Sequence, residues 1–252
     1  MSLKIIFQDD HFLALEKPAG LVVDKAETNK DITLEDILIS ELKINLPRGG
    51  IVHRLDKDTS GILLVARTKQ ALENLQAQFK DRVVKKEYLA LVHGLIEKAG
   101  TVKGAIGRNP GNREKFTVLL GGKEAVTEYE PIKSLQLSVF SLQEIFEDFK
   151  KIQMRKLERQ KYGEFTLVKC KPKTGRTHQI RVHLKYINYP IVSDEKYVGR
   201  KMFRLDRRWC PRMFLHSAKI GFNHPEKNKW MELESKLPED LKEALVRVKG
   251  KA

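Results

Sequence analysis

The segment His53–Val65 sets a cluster of charged side chains between two apolar segments. Ile51 and Val52 precede the cluster, and residues 62–66 predict a buried strand. Between them, Asp58–Gly61 is typical of a polar turn. Because both flanks are expected to be buried, the cluster either projects into a cleft, where a carboxylate can take part in a reaction, or forms a solvated turn.

The composition favours a polyanionic partner. The 252 residues include 48 Lys and Arg against 33 Asp and Glu, which gives a formal net charge of +15. Such an excess favours nucleic acid over a small acidic molecule, although a generally basic protein would show it too. The length allows one large domain or two small ones, and no low-complexity linker divides the chain, so we expect a single domain.

The compartment is predicted from what the sequence contains. No stretch of 18 apolar residues predicts a membrane span, and the N-terminus has no signal-peptide pattern. The two cysteines, Cys170 and Cys210, form no CxxC pair. We therefore expect a cytoplasmic protein without membrane contact.

Short strand-like segments alternate with helical patterns. The strand candidates are Leu3–Gln8, Phe12–Glu16, Gly61–Arg67, Lys85–His93, Phe165–Lys171, Met213–Phe222 and Lys229–Leu233. Thr33 and Asp36 predict a capping box for a helix that ends at Lys43, Thr68 can cap the next helix, and the last helix follows Pro238. Without regular strand–helix–strand repeats, this order predicts an α+β fold with a mixed, largely antiparallel sheet and flanking helices.

One amphipathic segment lies near residues 136–161. Apolar residues recur at a helical period from Leu142 to Gln160, and the second half carries a single acid, Glu158. Its basic residues are Lys150, Lys151, Arg155, Lys156, Arg159 and Lys161. We expect a basic helix that packs by its apolar side, whose charges form either a solvated face or a binding surface.

A second basic motif spans residues 169–185, with six Lys and Arg and no acid. Thr177 is positioned to cap a helix, on which Ile180 would face the core and Arg181 would lie beside the buried face. A half-buried arginine needs a carboxylate or phosphate partner, and Asp56 is the candidate.

Several other reaction classes lack their motifs. His178 and His183 are five residues apart, on different faces of a regular helix, and the chain has no HExxH, so no metal site is predicted. Ser60 lies outside any GxSxG elbow, which disfavours a Ser-His-Asp hydrolase. Asp56 and Asp58 could suggest the paired acids of a glycosidase, but Asp58 is expected to cap the turn.

The segment His53–Gly61 resembles the signature of the RluA-type RNA pseudouridine synthases. Further stretches similar to motifs of that family follow its order, and the resemblance covers about residues 5–237. These stretches are Glu16–Leu21, Lys86–Tyr88, Ile106–Arg108, Ala125–Tyr129, Thr174–His183 and Leu215–Ser217. The chain is identified on these motifs as a member of the family.

The resemblance implies the pseudouridine synthase fold with a central basic cleft, and a reaction that needs neither metal nor other cofactor. It implies that Asp56 is the nucleophile or base that severs the uridine C1′–N1 bond. Arg181 would pair with Asp56, keeping it ionised and oriented. Tyr88 would stack on the target base.

The resemblance also implies contacts with the RNA. Arg54 would fill the gap left when uridine leaves the stack, and Ile180 and Leu215 would form walls of the base pocket. The other predicted RNA contacts are His53, Arg176 and His178. Plainer alternatives stay open: a core residue for Tyr88, a phosphate clamp for Arg54, a structural ion pair for Arg181 and backbone hydrogen bonds for the histidines.

Two features depart from the family pattern. Many relatives carry an N-terminal S4 RNA-binding domain, whereas we expect one catalytic domain over residues 1–252 and no S4 domain in this chain. The segment near 136–161 is longer than the family's usual link. We hypothesise that its basic helix replaces part of the missing RNA-binding surface.

The sequence therefore predicts a monomeric enzyme that isomerises uridines in large-subunit ribosomal RNA. Transfer RNA is the alternative substrate. A non-catalytic RNA-binding or ribosome-assembly factor, and a glycosylase that releases free base, are the alternatives from other classes.

Overall fold

The chain passes three times between its two structural units. The computed structural model describes residues 3–25 and 31–250. The first unit comprises Met1–Tyr88 and His216–Lys236, and the second comprises Leu89–Leu215 and Leu237–Ala252. The chain changes unit within the strand Lys85–His93, at the start of the strand Leu215–Asn223 and after Lys236. The prediction of a single catalytic domain stays a prediction.

In the first unit, four consecutive pairings build the sheet. β1 (Lys4–Gln8) is antiparallel to β2 (Phe12–Lys17), and β2 is antiparallel to β3 (Ser60–Ala66). The strand Leu215–Asn223, which is β10 in chain order, pairs in parallel with β3 and antiparallel with β11 (Trp230–Glu234). Every residue of β3 is buried, which confirms the predicted core strand after the charged segment.

Two helices with N-terminal caps belong to the first unit. The capping box of α1 (Leu34–Ser40) is present, with the Thr33 amide donating to Asp36 at 3.0 Å and the Asp36 amide donating to the Thr33 hydroxyl at 3.2 Å. Thr68 caps α2 (Lys69–Lys80) as predicted, accepting from the Ala71 amide. The apolar face of α2 joins Phe12, Ile62 and Phe222 in the core of the unit.

The second unit holds the remaining strands. The strand Lys85–His93, β4, is followed across the sheet by β9, β8 and β12. β5 also pairs with β8, and β6 and β7 form a separate antiparallel hairpin. Their bounds are β5 (Gly100–Lys103), β6 (Ile106–Asn109), β7 (Asn112–Val118), β8 (Val126–Gln136), β9 (Glu164–Pro172) and β12 (Lys249–Gly250). β8 is antiparallel to each of its neighbours β5, β9 and β12.

Five helices complete the second unit. They are α3 (Val139–Ile145), α4 (Lys151–Arg159), α5 (Gln179–Tyr186), α6 (Arg200–Asp206) and α7 (Glu239–Arg247). The helical period from Leu142 to Gln160 is thus divided between two helices. The break follows Phe146, and α4 restarts where the Gln153 side chain accepts from the Lys150 amide at 2.8 Å.

The described residues confirm the predicted fold class. They form seven α-helices and strands that pair mostly antiparallel, with a parallel pairing between β3 and β10. This is the α+β arrangement expected from the sequence. The central basic cleft stays a prediction.

Candidate active site

The loop that carries Asp56 is fixed through its backbone. The Asp56 carbonyl accepts from the Thr59 amide at 3.1 Å, which closes the turn before β3. The next carbonyl, that of Lys57, accepts from the Gly20 amide and from the Lys17 ammonium, both at 2.9 Å. Asp56 itself is half-buried. Its main chain is therefore held in place next to the carboxylate.

Lys17 is a fully buried cation at the end of β2. Its ammonium group donates to the carbonyls of Pro18 and Leu21, each at 2.8 Å, as well as to that of Lys57. A buried charge is tolerated only when its hydrogen bonds are satisfied, and here backbone oxygens supply the acceptors. Lys17 therefore joins the segment Glu16–Leu21 to the loop of Asp56.

The start of β3 is held by a buried histidine. The Ser60 hydroxyl lies 2.9 Å from Nδ1 of His216, and Nε2 of His216 lies 3.1 Å from the Ser235 carbonyl. Gly61 has a φ of +116°, and a Cβ there would stand 2.2 Å from the Ser217 carbonyl oxygen. The loop thus needs glycine where it enters β3 beside β10.

Tyr88 is buried, and its hydroxyl is hydrogen-bonded to Ser217. Burial raises the pKa of Tyr88 to about 12, and the negative charge of Asp56 acts in the same direction. Tyr88 is therefore neutral at physiological pH. The first unit brings Tyr88 into electrostatic contact with Asp56, and the sequence prediction missed Ser217 as the partner of the phenol.

His53 points into the first unit. Its Nε2 atom accepts from the Leu64 amide at 3.0 Å, and its ring stacks on Phe79 at 4.6 Å. Burial, together with the charge of Lys86, lowers the pKa of His53 to about 3, and burial lowers the pKa of Lys86 to about 8. Nε2 is thus occupied by the backbone, as in the plainer alternative, and contact of His53 with RNA stays a prediction.

Arg54 extends into solvent. Its guanidinium lies 3.1 Å from Asp24, and its side chain is 62% exposed. The same carboxylate also binds Arg48. Exposed ion pairs are weak, so this contact holds the Arg54 side chain loosely, and its contact with RNA stays a prediction.

Arg181 lies on α5 in the second unit and is 6% exposed. Its Nε and Nη2 atoms donate to the two carboxylate oxygens of Asp194, at 2.7 and 2.9 Å. The ring of Tyr197 lies 5.1 Å from the guanidinium. Asp194 is a partner that the sequence prediction missed. The predicted pairing of Arg181 with Asp56 stays a prediction.

The turn before α5 differs from the prediction. Thr177 does not cap the helix: the residue at the cap is His178, in the left-handed conformation with a φ of 55° and without a side-chain cap. The Gln179 side chain instead accepts from the Arg176 amide at 3.0 Å and from the Thr174 hydroxyl at 2.6 Å. The predicted cap by Thr177 was therefore wrong. The Gln179 side chain, in the first turn of α5, accepts the hydrogen bonds from the preceding loop instead.

The remaining predicted site residues lie in the second unit. Nδ1 of His178 is 2.9 Å from the Tyr197 hydroxyl, and Nε of Arg176 donates to the Glu124 carbonyl at 3.0 Å. Ile180 and Leu215 are buried apolar side chains. The first unit contains the other predicted site residues, Asp56, Tyr88, His53 and Arg54. The predicted contacts between these residues and those of the second unit stay predictions.

The described part of the chain offers neither a metal cluster nor a membrane helix. Among residues 3–25 and 31–250, no three His, Cys, Asp or Glu side chains are grouped to hold a metal ion. No helix within those ranges is long and apolar enough to cross a membrane.

The fold and the ordered motifs agree with the comparisons with known proteins. The family model described as RNA pseudouridylate synthase matches residues 11–186. The chain belongs to the RluA family of RNA pseudouridine synthases, enzymes that isomerise uridine within RNA.

Among its relatives, the "Uncharacterized RNA pseudouridine synthase YlyB" of Bacillus subtilis is 38% identical over 251 residues, 97% of this chain and 72% of that protein. The "Ribosomal large subunit pseudouridine synthase D" of Pseudomonas aeruginosa is 39% identical over 96% of this chain and 70% of its own length. The solved structure of "Human RNA Pseudouridylate Synthase Domain Containing 1" has a TM-score of 0.74 and 26% identity, covering 99% of this chain and 89% of that one.

Proposed function

We propose that this enzyme converts uridine to pseudouridine in large-subunit ribosomal RNA, with Asp56 as its catalytic residue. The observation that carries the proposal is that the loop of Asp56 is fixed through its backbone, and that the negative charge of Asp56 raises the pKa of the buried Tyr88 hydroxyl. The names of several relatives, among them those from Pseudomonas aeruginosa and Nitrosomonas europaea, support the ribosomal substrate.

The reaction is an isomerisation. The C1′–N1 bond of uridine breaks, the uracil ring turns, and C5 bonds to C1′. The proton on C5 leaves to solvent and N1 takes up a proton, so no oxidant or reductant is consumed. Asp56 acts as nucleophile at the ribose or ring, or as base at the sugar.

Neighbouring side chains position the base and the carboxylate. Tyr88, kept neutral by burial, stacks on the flipped uracil, since a neutral ring is a better platform there than a phenolate beside Asp56. Arg181 is the cation that pairs with Asp56, and its rigid bond to Asp194 supports this role because a guanidinium can serve more than one acceptor.

The remaining residues contact the RNA. Arg54, exposed and tied to Asp24 only by a surface ion pair, fills the gap left by the flipped uridine. Ile180 and Leu215 line the base pocket, and Arg176, His178 and His53 contact the RNA around it.

Release of tritium from RNA labelled at uridine C5 tests the reaction. A transcript of large-subunit ribosomal RNA and a transfer RNA pool are incubated with wild-type enzyme, Asp56→Asn and Asp58→Asn. Asp58 is the matched control, because it is an exposed aspartate in the same turn. We expect release from ribosomal RNA with wild type and Asp58→Asn, and none with Asp56→Asn.

Each alternative gives a different result in this assay. Release from transfer RNA alone would assign the enzyme to that substrate. Free uracil would indicate a glycosylase. If no cellular RNA released label, and Asp56→Asn restored the phenotype of a deletion strain, the protein would act as a non-catalytic RNA-binding factor.

A further inference from the structure

Helix α4 has a basic side opposite its buried side. Leu157 is buried at 2% exposure, and Met154 beside it is half-buried. At 100° per residue, Lys151, Arg155 and Arg159 follow one another along the opposite side of the helix, about 6 Å apart. All three are exposed. The helix is therefore docked by Leu157 and presents a row of cations to solvent.

Helix α6 is built in the same way. Leu205 and Asp206 are buried, and the helical spacing puts Arg200, Arg204 and Arg207 on the opposite side, where all three are exposed. α6 therefore carries a second row of exposed cations, like the row on α4.

The two helices are neighbours. Lys201 at the start of α6 donates to the Gln160 side chain at the end of α4, at 2.9 Å. Arg208 after α6 binds Asp148, which precedes α4, with Nη2 and Oδ2 2.8 Å apart, and its guanidinium lies 4.9 Å from the ring of Phe149. These contacts place α4 and α6 next to each other, so the two rows of exposed cations lie in one region of the surface of the second unit.

The cations of this region lack acidic partners. We call it the two-helix basic surface, and its residues are Lys151, Arg155, Lys156, Arg159, Arg200, Arg204 and Arg207. Within the ranges that the structure describes, none of them forms an ion pair, whereas Arg181, Arg208 and Arg212 of the same unit each bind an aspartate. Like charges gathered in this way repel one another until a polyanion neutralises them.

We infer that the two-helix basic surface binds the phosphate backbone of RNA away from the uridine that is modified. RNA is the polyanion that this enzyme family acts on, so the inference rests on the proposed function for its ligand. A membrane surface fits less well, because Ile152, 75% exposed, is the one large apolar side chain exposed on the described part of α4.

Neutralising each row tests the inference. One variant carries Lys151→Gln, Arg155→Gln, Lys156→Gln and Arg159→Gln, and a second carries Arg200→Gln, Arg204→Gln and Arg207→Gln. The matched control replaces four exposed lysines elsewhere, through Lys80→Gln, Lys98→Gln, Lys133→Gln and Lys236→Gln. Kd for a transcript of large-subunit ribosomal RNA is measured across a series of salt concentrations from about 0.05 to about 0.4 M, a range over which phosphate binding weakens steeply. Circular dichroism verifies folding.

We expect each row variant to weaken binding by about tenfold or more at about 0.1 M salt, and its salt slope to fall by about 0.7 for each phosphate that the variant no longer neutralises. The control should keep the wild-type Kd within about twofold, since its lysines lie outside the surface. Tritium release at saturating RNA should be unchanged in all variants, because the surface holds RNA and does not touch the reacting base.

Two results would overturn the inference. One is an unchanged Kd and salt slope in folded row variants. The other is weakened binding to phosphatidylserine vesicles with RNA binding intact, which would make the surface a membrane contact. Failure of the proposed function would give a different result. Wild-type enzyme would then release no tritium, while the Kd values of the row variants and of wild type could still be compared.

Discussion

The phenol of Tyr88 is hydrogen-bonded to Ser217, and Ser217 pairs across the sheet with Gly61. The aromatic ring and the loop of Asp56 are thus anchored to the same short stretch of β10. Because Gly61 allows the backbones to approach closely, this arrangement fixes Tyr88 relative to the loop. A buried hydroxyl with a defined partner allows that geometry to be tested by substitution.

The ring of Tyr88 should matter more than its hydroxyl. We expect Tyr88→Phe to keep kcat/KM within about tenfold of wild type, because the stacking surface remains. Tyr88→Leu should reduce kcat/KM by a further factor of about 5 to 150, which corresponds to about 1–3 kcal/mol of stacking per base. Tritium release under kcat/KM conditions checks this, and equal rates for the two variants would contradict a stacking role.

Removal of the Ser217 hydroxyl should destabilise the fold. Ser217→Ala leaves the buried phenol of Tyr88 without this partner, at a cost of about 1–3 kcal/mol in the free energy of unfolding. In the Tyr88→Phe background the same substitution should be nearly neutral. Urea denaturation of the four proteins gives the coupling energy, and additive effects would show that the two hydroxyls do not depend on each other.

Lys17 should be needed for the geometry of the Asp56 loop. Lys17→Met removes the ammonium donor from the carbonyl oxygens of Pro18, Leu21 and Lys57. We therefore expect a fall of at least about 2 kcal/mol in the free energy of unfolding and a fall in kcat at saturating RNA. Lys57→Ala is the matched control, because it removes an exposed side chain and keeps the carbonyl. If Lys17→Met were stable and fully active, the bonds from Lys17 to the loop would have no function.

Asp194 should be required to hold Arg181. Asp194→Ala leaves a buried guanidinium without its bidentate partner, and removal of one member of a buried ion pair costs about 3–5 kcal/mol. Glu195→Ala, an exposed acid one residue later, should be within about 0.5 kcal/mol of wild type. Thermal or urea denaturation compares them, and equal stabilities would show that another group neutralises Arg181.

The features that depend on near neighbours in the chain could be predicted from the sequence. The Thr33 and Thr68 caps depend on atoms three residues away, and the fully buried β3 depends on a run of apolar residues, so both were predicted correctly. The strands between residues 100 and 136 were missed. β7 is exposed or half-buried at every position, so it has no apolar alternation that would indicate a strand.

The supports of the site were harder to predict for a different reason. Lys17 binds carbonyls, which any residue offers, and the sequence prediction named Asp56 as the partner of Arg181 although Asp194 lies thirteen residues away. Ser217 was part of a motif, but its bond to Tyr88 depends on how β10 and β4 are folded in space. A lysine at the end of an otherwise buried strand was the one available signal for Lys17.

His53 should make the protein sensitive to acid. The unfolded histidine takes up a proton near pH 6.5, whereas the folded one stays neutral until about pH 3, because it is buried and its Nε2 atom accepts from Leu64. The unfolded state therefore binds more protons between these values, and stability must fall as the pH is lowered from 6.5 to 3. Between about pH 7 and about pH 4.5 this single group should lower the free energy of unfolding by about 2–3 kcal/mol. His53→Gln should lack that part of the pH dependence, whereas the control His11→Gln should keep it. Urea denaturation at the two pH values measures the free energy of unfolding of each protein. If this free energy fell equally in His53→Gln and wild type, His53 would be protonated in the folded protein.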